Sequence, residues 1–100
     1  MIVYIAGKMT GLPDKGRAAF EKAEQQLKEQ GHIVLSPATL PDGMPEKAYM
    51  PICTAMLDAA DAIYLLRSWV TSRGAIIEKL YAAYQGKEIL YEPKEDECRT

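Results

Sequence analysis

The chain has 100 residues, of which 48% are hydrophobic and 26% charged, and its net charge is -2. This length allows one domain and excludes two, and the composition is that of a folded globular protein. The slight acidic excess argues against a nucleic-acid polymer as partner. No apolar run approaches the roughly 20 residues that cross a bilayer, so we also expect no membrane partner. Cys53 and Cys98 show neither metal-ligand nor disulfide spacing, which predicts a reduced, cytoplasmic setting.

Hydrophobic periodicity predicts strands and helices that alternate along the chain. Four short apolar runs are typical of strands, and we expect them near residues 2–6, 32–36, 62–67 and 87–91. Helical spacing of apolar residues predicts three helices, over about 14–30, 49–60 and 74–85. Residues 37–45 are rich in Pro and Gly and are expected to form a long loop. The predicted domain covers 1–91, and the charged tail over 92–100 is expected to be loose.

A β-α-β-α-β-α-β order predicts a parallel sheet with helices on both faces. With right-handed crossovers, the expected fold is a small flavodoxin-like or Rossmann-like three-layer sandwich with strand order 2-1-3-4. Ligands of such sheets bind beyond the carboxyl ends of the strands, near the switch in strand order. The loops that follow the first and third strands should therefore meet at the ligand site.

The loop after the first strand combines glycines with cationic and hydroxyl side chains. Gly7 and Gly11 let backbone N–H groups approach an anion, and Lys8, Thr10 and Arg17 add donors. A plain strand–helix turn is the competing interpretation, because the loop lacks a complete GxGxxG or Walker pattern.

The segment after the third strand suits a helix start that faces a ligand. Ser72 is a good N-cap, Gly74 leaves room at the helix start, and Glu78 follows one turn later. The helix dipole would help keep Glu78 ionised, as a carboxylate nucleophile requires. The competing interpretation is a solvated glutamate beside Lys79. Trp69 fits a core residue and a pocket wall equally well.

Three motifs together resemble the nucleoside 2-deoxyribosyltransferase superfamily, and within it a short phage and bacterial branch of uncharacterised domains. They are Tyr-x-Ala-Gly on the first strand, Asp-x-x-Asp-Ala before the third, and Trp-x-x-Ser-x-Gly-Ala-x-x-Glu after it, within about residues 1–91. The resemblance implies that Glu78 attacks the anomeric carbon of a deoxyribosyl group and that Tyr4 lies near the sugar. It assigns binding of a 5′-monophosphate to Ser72 and to the first loop, namely Gly7, Lys8, Met9, Thr10 and Gly11.

The resemblance also implies a nucleoside or nucleotide ligand, no metal or organic cofactor, and a homo-oligomer whose subunits complete one another's pockets. One departure concerns the family Asp that assists the leaving base, because its position, eight residues before Asp61, holds Cys53. A thiol is a weak donor, and Asp58 lies five residues further along the helix, so it should point elsewhere. Three functions therefore remain open: cleavage or transfer of an N-glycosidic bond, nucleotide binding without turnover, and protein interaction alone.

Overall fold

A computed structural model describes residues 1–14 and 16–93 of the chain. The elements in chain order are β1 (Ile2–Ala6), α1 (Arg17–Glu29), β2 (Ile33–Leu35), α2 (Glu46–Ala59), β3 (Ala62–Leu65), α3 (Arg73–Tyr84) and β4 (Glu88–Tyr91). Two short 3-10 helices precede α2 and α3, at Pro37–Thr39 and Arg67–Thr71. Within the described part of the chain, no helix has the length and apolarity that crossing a membrane requires. The predicted loose tail lies, from residue 94 onward, outside the described residues.

The four strands form one parallel sheet in the order β2-β1-β3-β4, which confirms the predicted fold. β1 is the switch point, because the chain moves from β1 to one side for β2 and to the other side for β3 and β4. Tyr4 of β1 pairs in register with Leu35 of β2 and with Ile63 of β3. The central strands β1 and β3 are buried on both faces, which explains their continuous apolar runs.

Alternate side chains of the strands build a separate core on each face of the sheet. On one face, Val3 and Ile5 pack with Phe20, Ala23 and Leu27 of α1. The opposite core contains residues of β1, β3, α2 and α3, among them Tyr4, Ala6, Cys53, Leu57, Ile63, Ala75 and Ala82. Tyr4 therefore faces α2 and α3, and any chemistry at its hydroxyl group lies beneath these two helices.

Two helix starts differ from the sequence prediction. α1 begins at Arg17 rather than near Asp14, because the Asp14 side chain accepts hydrogen bonds from the backbone and Gly16 turns the chain at φ 76°. A Cβ on Gly16 would lie 2.5 Å from the carbonyl oxygen of Lys8, so no larger residue fits there. α2 begins at Glu46 rather than near Tyr49 and contains Pro51. Pro37–Thr39 forms a short 3-10 helix where only loop was expected.

Candidate functional site

The two residues predicted to be catalytic are in direct contact. The Tyr4 hydroxyl donates a hydrogen bond to Oε2 of Glu78 over 2.7 Å, and both side chains are buried. Tyr4 lies in the middle of β1, and Glu78 lies in the second turn of α3, on the helix face turned to the sheet. The contact joins positions 74 residues apart in the chain, so it exists only because β1 and α3 share one core.

Burial dominates the electrostatics of this pair. Glu78 is only 7% exposed, and desolvation raises the pKa of its carboxyl from 4.5 to about 7, against the opposing effect of the Tyr4 hydrogen bond. Burial, together with the nearby Glu78 charge, also raises the pKa of Tyr4 far above its ordinary value. Desolvation thus favours the protonated form of Glu78, in the opposite direction to the helix dipole that the sequence analysis invokes.

Cys53 of α2 is the third member of this buried group. It is 7% exposed, packs in the same core as Tyr4, and lies near enough to Glu78 for that charge to affect the pKa of its thiol. Burial raises the pKa of the thiol, so that it stays neutral at physiological pH. The position eight residues before Asp61 therefore lies in the same buried core as Tyr4.

Asp58 and Asp61 have structural roles away from the pair. Asp58 accepts a hydrogen bond from the Tyr81 hydroxyl over 2.6 Å on the outer side of α2 and α3. Asp61 accepts one from the backbone N–H of Ile2 over 2.9 Å, which ties the start of β1 to the segment before β3. His32 contacts the N-terminal amino group at the same end of the sheet.

The loops after β1 and β3 meet, as the strand order predicts. The backbone N–H of Lys8 donates to the Ser68 hydroxyl over 2.9 Å. Gly7 sits so close to Leu66 that an added Cβ would lie 2.7 Å and 2.9 Å from two of its side-chain atoms. Gly7 is thus required for packing, whatever it contributes to a ligand. Ser68 was not singled out in the sequence, where nothing separates it from an ordinary loop serine.

The start of α3 combines a serine N-cap with a glycine that the fold does not require. Ser72 is the N-cap, and its hydroxyl oxygen accepts a hydrogen bond from the backbone N–H of Ala75 over 3.2 Å. That hydroxyl keeps its proton for donation to an anion. A Cβ on Gly74 would lie 3.7 Å from Cε of Met50, which is an ordinary contact. The fold therefore does not require glycine at position 74, in contrast to position 7.

The start of α1 is occupied by the protein's own carboxylate. Asp14 accepts hydrogen bonds from the backbone N–H groups of Gly16 and Ala18, over 2.9 Å and 3.2 Å. These hydrogen bonds, the one from Ala18 above all, hold the pKa of the Asp14 carboxyl below its ordinary value. Arg17, predicted as an anion donor, forms a 2.6 Å ion pair with Asp42 in the loop after β2. In the first loop, Met9 packs against the core on the α1 side of the sheet, whereas Thr10 and Gly11 are exposed.

Trp69 is both a packing residue and a surface residue. It is half-buried against the core that contains Tyr4 and Cys53. Its ring centroid lies 6.2 Å from that of Tyr91, and Nζ of Lys79 lies 4.6 Å from the Trp69 centroid. Lys79 therefore covers this indole through a cation–π contact instead of pairing with Glu78. Among the described residues, no group of three His, Cys, Asp or Glu side chains could hold a metal ion.

The fold and the pair define the class: a three-layer α/β domain with a buried carboxylate–phenol–thiol cluster under the helix that follows its third strand. The chain belongs to the family described as Domain of unknown function (DUF4406), which matches residues 1–91.

Among solved structures, the chain is similar to the 2-desoxiribosyltransferase from Leishmania mexicana, with a TM-score of 0.72 and 28% sequence identity. The similarity covers 90% of this chain and 62% of the Leishmania chain, so this chain spans less than two thirds of that protein's length. No curated protein sequence matches the chain.

Proposed function

We propose that the protein binds a nucleoside or a nucleoside 5′-monophosphate and cleaves its N-glycosidic bond, or transfers the sugar, through Glu78. The observation that carries the proposal is the buried 2.7 Å hydrogen bond between Tyr4 and Glu78. The similarity to the Leishmania 2-desoxiribosyltransferase supports the same class of reaction. No organic cofactor or metal ion takes part in the chemistry that we propose.

In this proposal, Glu78 is the nucleophile and Tyr4 positions it. The Tyr4 hydroxyl engages Oε2, which leaves Oε1 to attack the anomeric carbon. The C1′–N bond then breaks, and its electron pair leaves with the base. Water hydrolyses the resulting ester in a glycosidase, whereas a second base accepts the sugar in a transferase. A carboxylate in a poorly hydrated site also stabilises the oxocarbenium-like transition state.

We assign the phosphate of a nucleotide to the start of α3. The Ser72 hydroxyl, the first N–H groups of the helix and the open side of Gly74 form the part of the site that suits an anion. The first loop contributes from the opposite side through Gly7, Lys8, Met9, Thr10 and Gly11, with Arg17 behind it. Because Asp14 already occupies the start of α1, we place the phosphate at α3 and not at α1.

We also propose that the chain forms a homo-oligomer through the outer face of α3. Ile77, Leu80 and Tyr84 line this face and are 55%, 63% and 90% exposed. Their spacing forms one apolar stripe along the helix, in contrast to the charged outer face of α1. A stripe without charge suits a second, identical stripe better than a charged partner. Light scattering tests this proposal, because it measures the molar mass of the particle that the intact chain forms in solution.

The second candidate function is nucleotide binding without turnover, and Cys53 is the observation that favours it. A neutral thiol lies beside the pair, where the family motif has an Asp that assists the leaving base. In that case the protein would bind nucleotides as a receptor, and the Tyr4–Glu78 pair would serve only for recognition.

Release of free base from nucleoside monophosphates distinguishes the two functions. For an enzyme, we expect base release that falls by orders of magnitude in Glu78→Gln, while nucleotide binding largely survives, because Gln keeps the size and loses the anionic nucleophile. Chromatography measures the base, and calorimetry measures the binding. Nucleotide binding with no base release from any nucleotide would support the receptor function instead.

A further inference from the structure

The buried site contains one carboxylate where glycoside chemistry ordinarily uses two. Among the described residues, the buried polar or charged side chains are Ser36 and Glu78. Ser36 caps the short 3-10 helix at Pro37–Thr39, where its oxygen accepts from the backbone N–H of Ala38. In the usual scheme, one carboxylate attacks the sugar while a second carboxylic acid protonates the leaving group. The buried cluster described here supplies the first and lacks the second.

The described carboxylates nearest in sequence to the cluster do not replace that acid. Asp58 is bound to Tyr81, and Asp61 is bound to the N–H of Ile2 at the opposite end of the strands. Among the described residues, the protic groups that interact with Glu78 are the Tyr4 hydroxyl, which is already donated to the carboxylate, and the Cys53 thiol. Burial raises the pKa of both groups, so neither readily gives a proton to a departing base.

We propose that this site acts on N-glycosides whose base is cationic, a pyridinium or an N7-alkylated purine, because such a base departs without receiving a proton. The inference rests on the function proposed above. Attack by the Glu78 carboxylate forms the ester to C1′, and the electron pair of the C1′–N bond neutralises the positive ring. Water then hydrolyses the ester, which returns the carboxylate and releases the sugar and one proton. The first step needs no acid, because the base becomes neutral as it departs.

A neutral, apolar neighbour also suits this class of base. Cys53 has a thiol whose pKa is raised by burial, and its helix neighbour Leu57 is buried in the same core. A carboxylic acid at position 53 would donate its proton to a neutral leaving base, whereas a polarizable thiol offers mainly packing to a flat ring. Position 53 is therefore the specificity-determining position in this proposal.

The test compares matched nucleotides that differ in the charge of the base. The probes are 7-methyl-2′-deoxyguanosine 5′-monophosphate, 2′-deoxyguanosine 5′-monophosphate and nicotinamide 2′-deoxyriboside 5′-monophosphate, with Glu78→Gln as the chemical background for each. We expect Glu78-dependent release of at least one cationic base, at a kcat/KM at least about 10²-fold above that for the neutral nucleotide, the scale of a missing general acid. Release from only one cationic probe identifies whether the purine or the pyridinium is the substrate.

The Cys53→Asp variant supplies the missing acid and is compared with Cys53→Ala, which does not. We expect the ratio of cationic to neutral cleavage to fall at least tenfold in Cys53→Asp and to stay high in Cys53→Ala. Equal, Glu78-dependent cleavage of neutral and cationic nucleotides by the unsubstituted protein would overturn the inference and leave the proposed glycosidase function standing. No base release from any probe, in the unsubstituted protein or in Cys53→Asp, would overturn both.

Discussion

Replacing Glu78 by Gln should stabilise the protein in alkaline solution, even though it removes the proposed nucleophile. Burial raises the pKa of the carboxyl from 4.5 to about 7, so the folded state favours its protonated form. The stability that Glu78 contributes is complete below pH 4.5 and is lost as the pH rises through about 7. At about 1.4 kcal/mol per pH unit, the loss reaches ~3 kcal/mol in alkaline solution. Gln stays neutral and avoids this loss.

Chemical denaturation at pH 5 and pH 9 measures the effect. The free energy of unfolding of Glu78→Gln, minus that of the unsubstituted protein, should be about 2.5 kcal/mol larger at pH 9 than at pH 5. Glu21, which is exposed on α1, offers the matched control Glu21→Gln, whose stability should follow that of the unsubstituted protein at both pH values. A stability difference between Glu78→Gln and the unsubstituted protein that does not change with pH would refute the claim that desolvation governs this carboxyl.

The remaining predictions concern the pair and the start of α3. Tyr4→Phe removes the hydrogen bond that lowers the pKa of Glu78, so the acidic limb of the pH–rate profile should move to higher pH; an unchanged limb would contradict the pairing. Gly74→Ala should raise the free energy of unfolding by about 0.5–1 kcal/mol and weaken ligand binding at least tenfold, whereas Gly7→Ala should destabilise the fold. Thermal unfolding and calorimetry separate these effects, and undiminished binding in Gly74→Ala would exclude close ligand approach there. Ser72→Asp keeps an N-cap but adds negative charge, so monophosphate binding should fall at least tenfold while nucleoside binding persists. Equal loss of both ligands in that titration would argue against a phosphate at this helix start.

The positions of Tyr4 and Glu78 illustrate how much of the site the sequence could predict. Their motifs, together with the alternation of strands and helices, predicted that both residues belong to one site. The sequence did not reveal that Asp14 accepts hydrogen bonds from the N–H groups of Gly16 and Ala18, or that Arg17 pairs with Asp42. Asp14 carried a usable signal, because an Asp just before a helical pattern is a common cap. Asp42 carried none, since its partner lies 25 residues away.

Local periodicity by itself determined the fold class of this protein. Short apolar runs separated by amphipathic helices favour a parallel sheet, and right-handed crossovers with helices on both faces agree with the order β2-β1-β3-β4. Only the tertiary structure decided the chemistry of Glu78. Its pKa depends on how much water is removed by packing against segments such as β1 and α2, which are distant in the chain. The N-cap and the helix dipole act within one turn and can be read from the local sequence, whereas this desolvation cannot.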